Sequence, residues 1–222
     1  MPYFTPDYIT FFEELALNNT KEWFDQNRSR YEKSVKKPFY AFVERMIDLI
    51  SEDDPTVMIT PKDAIFRINR DIRFSNDKTP YKTNFSAVVS PGGRKEMVTP
   101  GLYFELGAGE IGLYGGLYML DKDQLLKVRR FIAGDPQRFK KELGNPDFKE
   151  HFETLRGDQH KRLPKEFQEV AEEVPLIANK SFYYYTKLDR DQLLKDDFDQ
   201  VLMKYYYLAK PMKLYLTEAI GS

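Results

Sequence analysis

The chain contains no cysteine. Disulfides, thiolate zinc sites and cysteine nucleophiles are therefore excluded. It contains only two histidines, His151 and His160, both in a polar, charged stretch. That is too few for a His-rich metal site and argues against a Ser-His-Asp triad, so no metal ligands are expected. No charge of either sign is in excess: 34 Lys and Arg stand against 35 Asp and Glu, for a net charge of -1. There is no global field to draw in nucleic acid or an anionic membrane, and any such binding has to come from a local patch. No hydrophobic run reaches membrane-spanning length, and no basic segment followed by an apolar one opens the chain. The expectation is a soluble, cytoplasmic protein with no membrane partner and no general affinity for nucleic acid.

What is present is aromatic. The 222 residues are 41% hydrophobic and 15% aromatic, with 15 Tyr and 17 Phe but a single Trp. Such a composition supports a packed core and excludes disorder. The length admits one large domain or two small ones. The first third has helical spacing. Thr5-Pro6 predicts a helix start, with Phe11, Phe12 and Leu15 as its stripe. Asn19 and Glu22 have capping-box spacing ahead of a second helix carrying Trp23, Asn27, Arg28 and Tyr31. Pro38 restarts a helix whose stripe is Phe39, Phe42, Val43, Met46, Ile47 and Ile50.

The middle third changes period. Residues 102–106 and 111–119 alternate around a Gly107-Ala-Gly-Glu110 turn, and Gly115-Gly116 predicts a bulge or a close backbone approach. An antiparallel sheet of about four strands is expected here. The last hundred residues repeat one pattern: a polar cap with Pro starts a helix and Gly stops it, as at Gly134, Gly144 and Gly157. Residues 181–188 alternate as one more strand, and a terminal helix carries Pro211, which should kink it. The fold class that follows is α+β: a central antiparallel sheet flanked by N-terminal and C-terminal helices, in a single domain spanning residues 1–222.

The most distinctive stretch runs from Ala64 to Ala87. Phe66, Ile68, Ile72 and Phe74 fall on one strand face, and Arg67, Asn69, Asp71 and Arg73 on the other. A turn of Ser75, Asn76, Asp77 and Pro80 follows, carrying Lys78, Tyr81 and Lys82, and Asn84 to Val89 returns as a strand. Arg supplies a planar fork and Lys a mobile point charge for phosphate or carboxylate recognition. One reading is an anion-binding pocket on the polar face of the sheet. The other is a structural network in which Asp71 and Asp77 tie down the arginines. Arg70 breaks the alternation, so either a bulge turns it outward or an acid compensates it. Trp23 reads first as core, while Asn27 and Arg28 beside it border the same pocket.

Other features carry less chemistry. Ser90-Pro-Gly-Gly-Arg94 fits neither the P-loop nor the dinucleotide spacing and reads as a turn. Tyr183-Tyr-Tyr185 and Tyr205-Tyr-Tyr207 could stack on bases, but packing is the simpler account.

Two of these stretches are long enough to compare with a known family. Asn18-Asn-Thr-Lys-Glu-Trp-Phe-Asp-Gln-Asn-Arg28 with Tyr31-Glu32, and Phe66-Arg-Ile-Asn-Arg-Asp-Ile-Arg-Phe-Ser75 with Asp77-Lys-Thr-Pro-Tyr-Lys82, resemble the motifs of the uncharacterised family known as domain of unknown function twenty-four sixty-one. Pro100-Gly-Leu-Tyr103, the Gly115-Gly116 strand and Lys180-Ser-Phe-Tyr183 are similar as well. The resemblance covers nearly the whole chain and implies one α+β domain. It brings no activity, cofactor or catalytic residue with it.

The functional expectation therefore rests on the residues. It is binding of an anionic small molecule, phosphorylated ligands included, held by Arg67, Arg73, Lys78 and Lys82, oriented by Asn69 and Tyr81, and bordered by Trp23 and Arg28. If a proton moves, Tyr81 or Lys78 is the donor, given a shifted pKa. The alternatives are a non-enzymatic protein- or nucleic-acid-interaction module and a purely structural Arg/Asp network. The sequence assigns no cofactor and no oligomeric state.

Overall fold

A computed structural model of the protein describes residues 1–96 and 98–221. The fold is α+β, as the change of period predicts. Four strands, β1 (Asn84–Val89), β2 (Leu102–Gly107), β3 (Ile111–Leu117) and β4 (Phe182–Leu188), form one antiparallel sheet in the order β1-β2-β3-β4, with helices flanking it. The sheet differs from expectation in one strand. The arm from Phe66 to Phe74 is not a regular strand; among the described residues the hairpin pairs through two isolated bridges, Ile65 to Ala87 and Asn69 to Tyr81. The apolar alternation holds at its base, where Ile68 is buried, and fails at its tip, where Phe74 is almost fully exposed. The fourth strand comes instead from residues 182–188.

Two compact units can be distinguished. One comprises Met1–Arg94, Tyr103–Leu113 and Lys187–Met203. Its core is aromatic: Phe42 stacks on Phe198 at 5.0 Å, Phe39 on Phe85 at 4.4 Å, and the buried Tyr8 hydroxyl donates to the Leu106 carbonyl at 3.1 Å. The helix Pro6–Leu17 starts at Thr5 with Pro6 in its first turn, as predicted. The next helix, Lys21–Gln26, is capped by Thr20, whose side chain accepts from the Trp23 amide, and not by Asn19. Asn19 is used elsewhere, as described below.

From Tyr31 to Lys36 the chain forms a π-helical turn that runs straight into the helix Lys37–Asp53. Pro38 explains it. A proline has no amide to donate, and its ring crowds the carbonyl four residues back. The helix widens ahead of it, so that the Lys37 amide bonds the Glu32 carbonyl five residues earlier. Such turns concentrate at functional sites.

The other unit comprises Lys95–Leu102, Tyr114–Thr186 and Lys204–Ser222. The helices Lys122–Gly134, Pro136–Leu143 and Pro146–Phe152 start at Asp121, Asp135 and Asn145, each with its side chain accepting from first-turn amides. The third helix ends before Gly157, at Glu153, which takes a left-handed conformation. Gly116, also left-handed, lies where an added Cβ would meet the Phe182 carbonyl at 2.3 Å; this is the close backbone approach the Gly115-Gly116 pair predicts. Arg129 is buried and donates to the carbonyls of Ile177, Ala178 and Asn179. The terminal helix Phe198–Gly221 continues through Pro211. Among the described residues no helix is long and apolar enough to cross a membrane.

Candidate functional site

The base of the hairpin is built by three backbone bonds: Phe66 amide to Ser86 carbonyl (3.0 Å), Lys82 amide to Ile68 carbonyl (2.8 Å) and Arg70 amide to Pro80 carbonyl (2.9 Å). This pairing holds the arm extended over residues 66–70. Ile68 then turns inward, while Arg67 and Asn69 turn to solvent. Across the bridge from Asn69 lies Tyr81. Tyr81 is fixed from two sides. Asn19 treats it as a strand partner, donating from Nδ2 to the Tyr81 carbonyl at 2.9 Å and accepting the Tyr81 amide at 3.1 Å. Its ring stacks on Phe24 with centroids 4.0 Å apart and planes 15° off parallel.

These groups border a cleft of about 520 Å³. That is within the usual size of small-molecule sites. Arg67, Asn69, Tyr81 and Arg28 all line it, so four of the residues named from the sequence meet in one place. Its floor is apolar and aromatic, from Phe24, Tyr31, Ile65, Ile68 and Phe85, all buried. Burial holds the Tyr31 phenol well above the ordinary tyrosine value, and raises that of Tyr81 as well. Arg28, in the same lining, opposes the shift in both.

Four polar wall residues were not singled out by sequence: Lys36 and Tyr40 beyond the π-helical turn, Lys62 in the single helical turn Pro61–Ala64, and Arg94 in the Ser90–Arg94 turn. The last two are joined, because Arg94 Nε donates to the Lys62 carbonyl at 3.1 Å. Gly93 makes that possible. Its φ is +56°, and an added Cβ would lie 2.7 Å from the Asp63 carbonyl oxygen.

Charge at the cleft is uneven. Arg28 is paired with Asp25 at 2.5 Å and Lys36 with Glu32 at 2.8 Å. Among the described residues, Lys62, Arg67 and Arg94 have no carboxylate at ion-pair distance. Glu32 is the single acid in the lining. The cleft is thus an aromatic floor under a rim with surplus positive charge, an arrangement suited to a ligand with an anionic end.

The remaining sequence-named residues lie outside it. Arg73 is held by Asp71 through two bonds, of 3.0 and 2.7 Å. Lys78 donates to the Ile72 carbonyl at 2.9 Å. Arg70, half-buried, is compensated by Asp77, with Thr79 and Ser75 as further acceptors. Lys82 sits 5.4 Å over the Phe66 ring; burial lowers its pKa, Glu105 raises it and Arg67 lowers it further. Trp23 is half-buried against Phe11, with centroids 5.5 Å apart.

The segments that make the cleft, residues 19–40 and 62–94, fall inside a family match spanning residues 7–215. The chain belongs to the family of conserved hypothetical proteins DUF2461. No curated protein matches it. Membership in DUF2461 agrees with the α+β architecture and with the motifs at residues 18–32 and 66–82, both of which supply cleft walls. Among the described residues no three carboxylate or imidazole groups gather as a metal ion would require.

Proposed function

We propose that this member of DUF2461 binds a small anionic molecule in the cleft at the hairpin base. The anion is held by Lys62, Arg67 and Arg94 and oriented by Arg28, Asn69 and Tyr81. One observation carries the reading: three cations from separate segments face one concave site, and among the described residues none of the three has a carboxylate at ion-pair distance. Leaving like charges together is unfavourable unless a counter-charge arrives. A structural network of arginines and aspartates accounts for Arg70 and Arg73 but leaves these three unexplained. The concave shape also favours a small molecule over a broad basic surface for a macromolecule. A phosphate suits the site better than a carboxylate, because it brings a charge of about -1.5 to -2 and several acceptor oxygens.

A thermal-shift panel tests this. Inorganic phosphate, sulfate and citrate are compared with neutral glycerol at constant ionic strength. A ligand that binds only the folded chain stabilises it by about 2.7 kcal/mol at a hundredfold excess over its Kd. The expected result is a rise in Tm with the anions and none with glycerol. An identical rise in an Arg67→Ala, Arg94→Ala variant would assign the effect to other sites and overturn the proposal.

A further inference from the structure

The aromatic part of the cleft narrows the ligand further. Phe24 and Tyr81 stack on each other, Tyr31 packs on Phe24 at 4.9 Å, Phe85 on Phe39 at 4.4 Å and Phe66 on Tyr103 at 5.7 Å. Tyr40 is the exception. It lines the cleft half-buried, yet among the described residues it meets no other ring, no cation over its face and no hydrogen-bond partner. Its hydroxyl is close enough to that of Tyr31 to influence it electrostatically.

Two further hydroxyls open on the same cleft. Tyr31 and Tyr81 are each only 6% exposed, and neither hydroxyl has a hydrogen-bond partner among the described residues. Both line the cleft, so a ligand entering it can accept from them.

We infer that the occupant is a planar aromatic or heteroaromatic ring carrying a phosphate, of the aryl phosphate or nucleotide class. The ring stacks on Tyr40, its ester oxygen or a ring heteroatom accepts from the Tyr31 and Tyr81 hydroxyls, and the phosphate lies between Lys62, Arg67 and Arg94. The inference rests on the anion-binding reading above and adds the ring to it. Stacking of a flat ring on a tyrosine strengthens binding about ten-fold or more, so the ring should be visible as a preference among phosphates.

Titration calorimetry on the full chain separates the two ideas, using phenyl phosphate, glycerol phosphate, inorganic phosphate and benzoate. Phenyl phosphate is expected to bind about ten-fold tighter than glycerol phosphate, and benzoate more weakly than both. Tyr40→Phe should keep the ten-fold preference and Tyr40→Ala should abolish it, with phosphate itself still bound. Adenosine monophosphate, added as a second ring, distinguishes a nucleotide from a simple aryl ester by its extra affinity. Equal binding of phenyl and glycerol phosphates would overturn the ring and leave the anion site standing. A preference that survives Tyr40→Ala would overturn the assigned stacking face. Failure of every anion to bind would remove both proposals together.

Discussion

The base and the tip of one hairpin use the same kind of residue to opposite ends. Arg67 at the base and Arg73 at the tip lie six positions apart on the same polar alternation. Arg73 has Asp71 two residues before it, on its own side of the chain, and the pair closes with two bonds. Arg67 has Ile65 and Asn69 at the equivalent positions, and among the described residues no carboxylate lies at ion-pair distance from it, although Asp71 feels its charge. The tip is likewise cross-braced by Arg70 to Asp77 and by Lys78 to the Ile72 carbonyl. Cation density alone therefore says little about a site. What matters is whether each cation has an acid within its own local geometry, and the tip has been neutralised where the base has not.

The comparison breaks most sharply at these two arginines. Arg67→Ala is expected to weaken phenyl phosphate binding at least about ten-fold, because a hydrogen bond to a charged group is worth about 1.5–3 kcal/mol. Arg73→Ala should change it by less than about two-fold, since its charge is already cancelled. Both are exposed, so neither should affect folding much. Equal losses in the two variants, measured by calorimetry at fixed ionic strength, would erase the distinction between base and tip.

Asn19→Ala comes next. It removes both side-chain bonds to the Tyr81 backbone, each worth about 1 kcal/mol, and should lower stability by about 1–2 kcal/mol in urea unfolding. The same change should weaken phenyl phosphate binding, because Tyr81 loses its anchor. A stability loss with unaltered affinity would show that Tyr81 holds its place by stacking on Phe24 alone.

The base was readable where its chemistry is local. Strand alternation put Arg67 and Asn69 on one face, and the turn residues brought Tyr81 opposite them. Lys62, Arg94 and Tyr40 were not readable, because their place depends on how separate segments pack. Gly93 was the available signal for Arg94, since a glycine ahead of a cation in a tight turn marks a backbone that approaches something closely. Asn19 was misread for a physical reason: its spacing to Glu22 imitates a cap, while Thr20 is one residue better placed to serve as one. Pro38 signalled a disturbed helix but not that the disturbance would be a widened turn facing the cleft. Phe74 followed the alternation on paper, but the arm has left the sheet by that point and the ring stands almost fully exposed.

Arg70→Ala should have a smaller effect, about 1 kcal/mol or less, since it is only half-buried and its partners are near water. Faster amide exchange confined to residues 71–79, with unchanged phosphate affinity, is the expected pattern. Loss of affinity in this variant would mean that the tip's order is transmitted to the base.

The smallest effect sharpens the contrast by pH. The carboxyls of Asp71 and Asp77 are held near 2, the first chiefly by its bond from Arg73 and the second chiefly by the Thr79 amide with help from Arg70. In an open tip both would return to the ordinary value near 4. Between those values the closed tip binds fewer protons than the open one, so closure is fully supported above about pH 4 and loses that support as pH falls toward 2. Acidification should therefore loosen residues 71–79 in amide exchange while sulfate, an anion across this whole window, still binds the cleft. Parallel loss of tip protection and sulfate binding would join the two regions into one titrating unit and remove the separation between them.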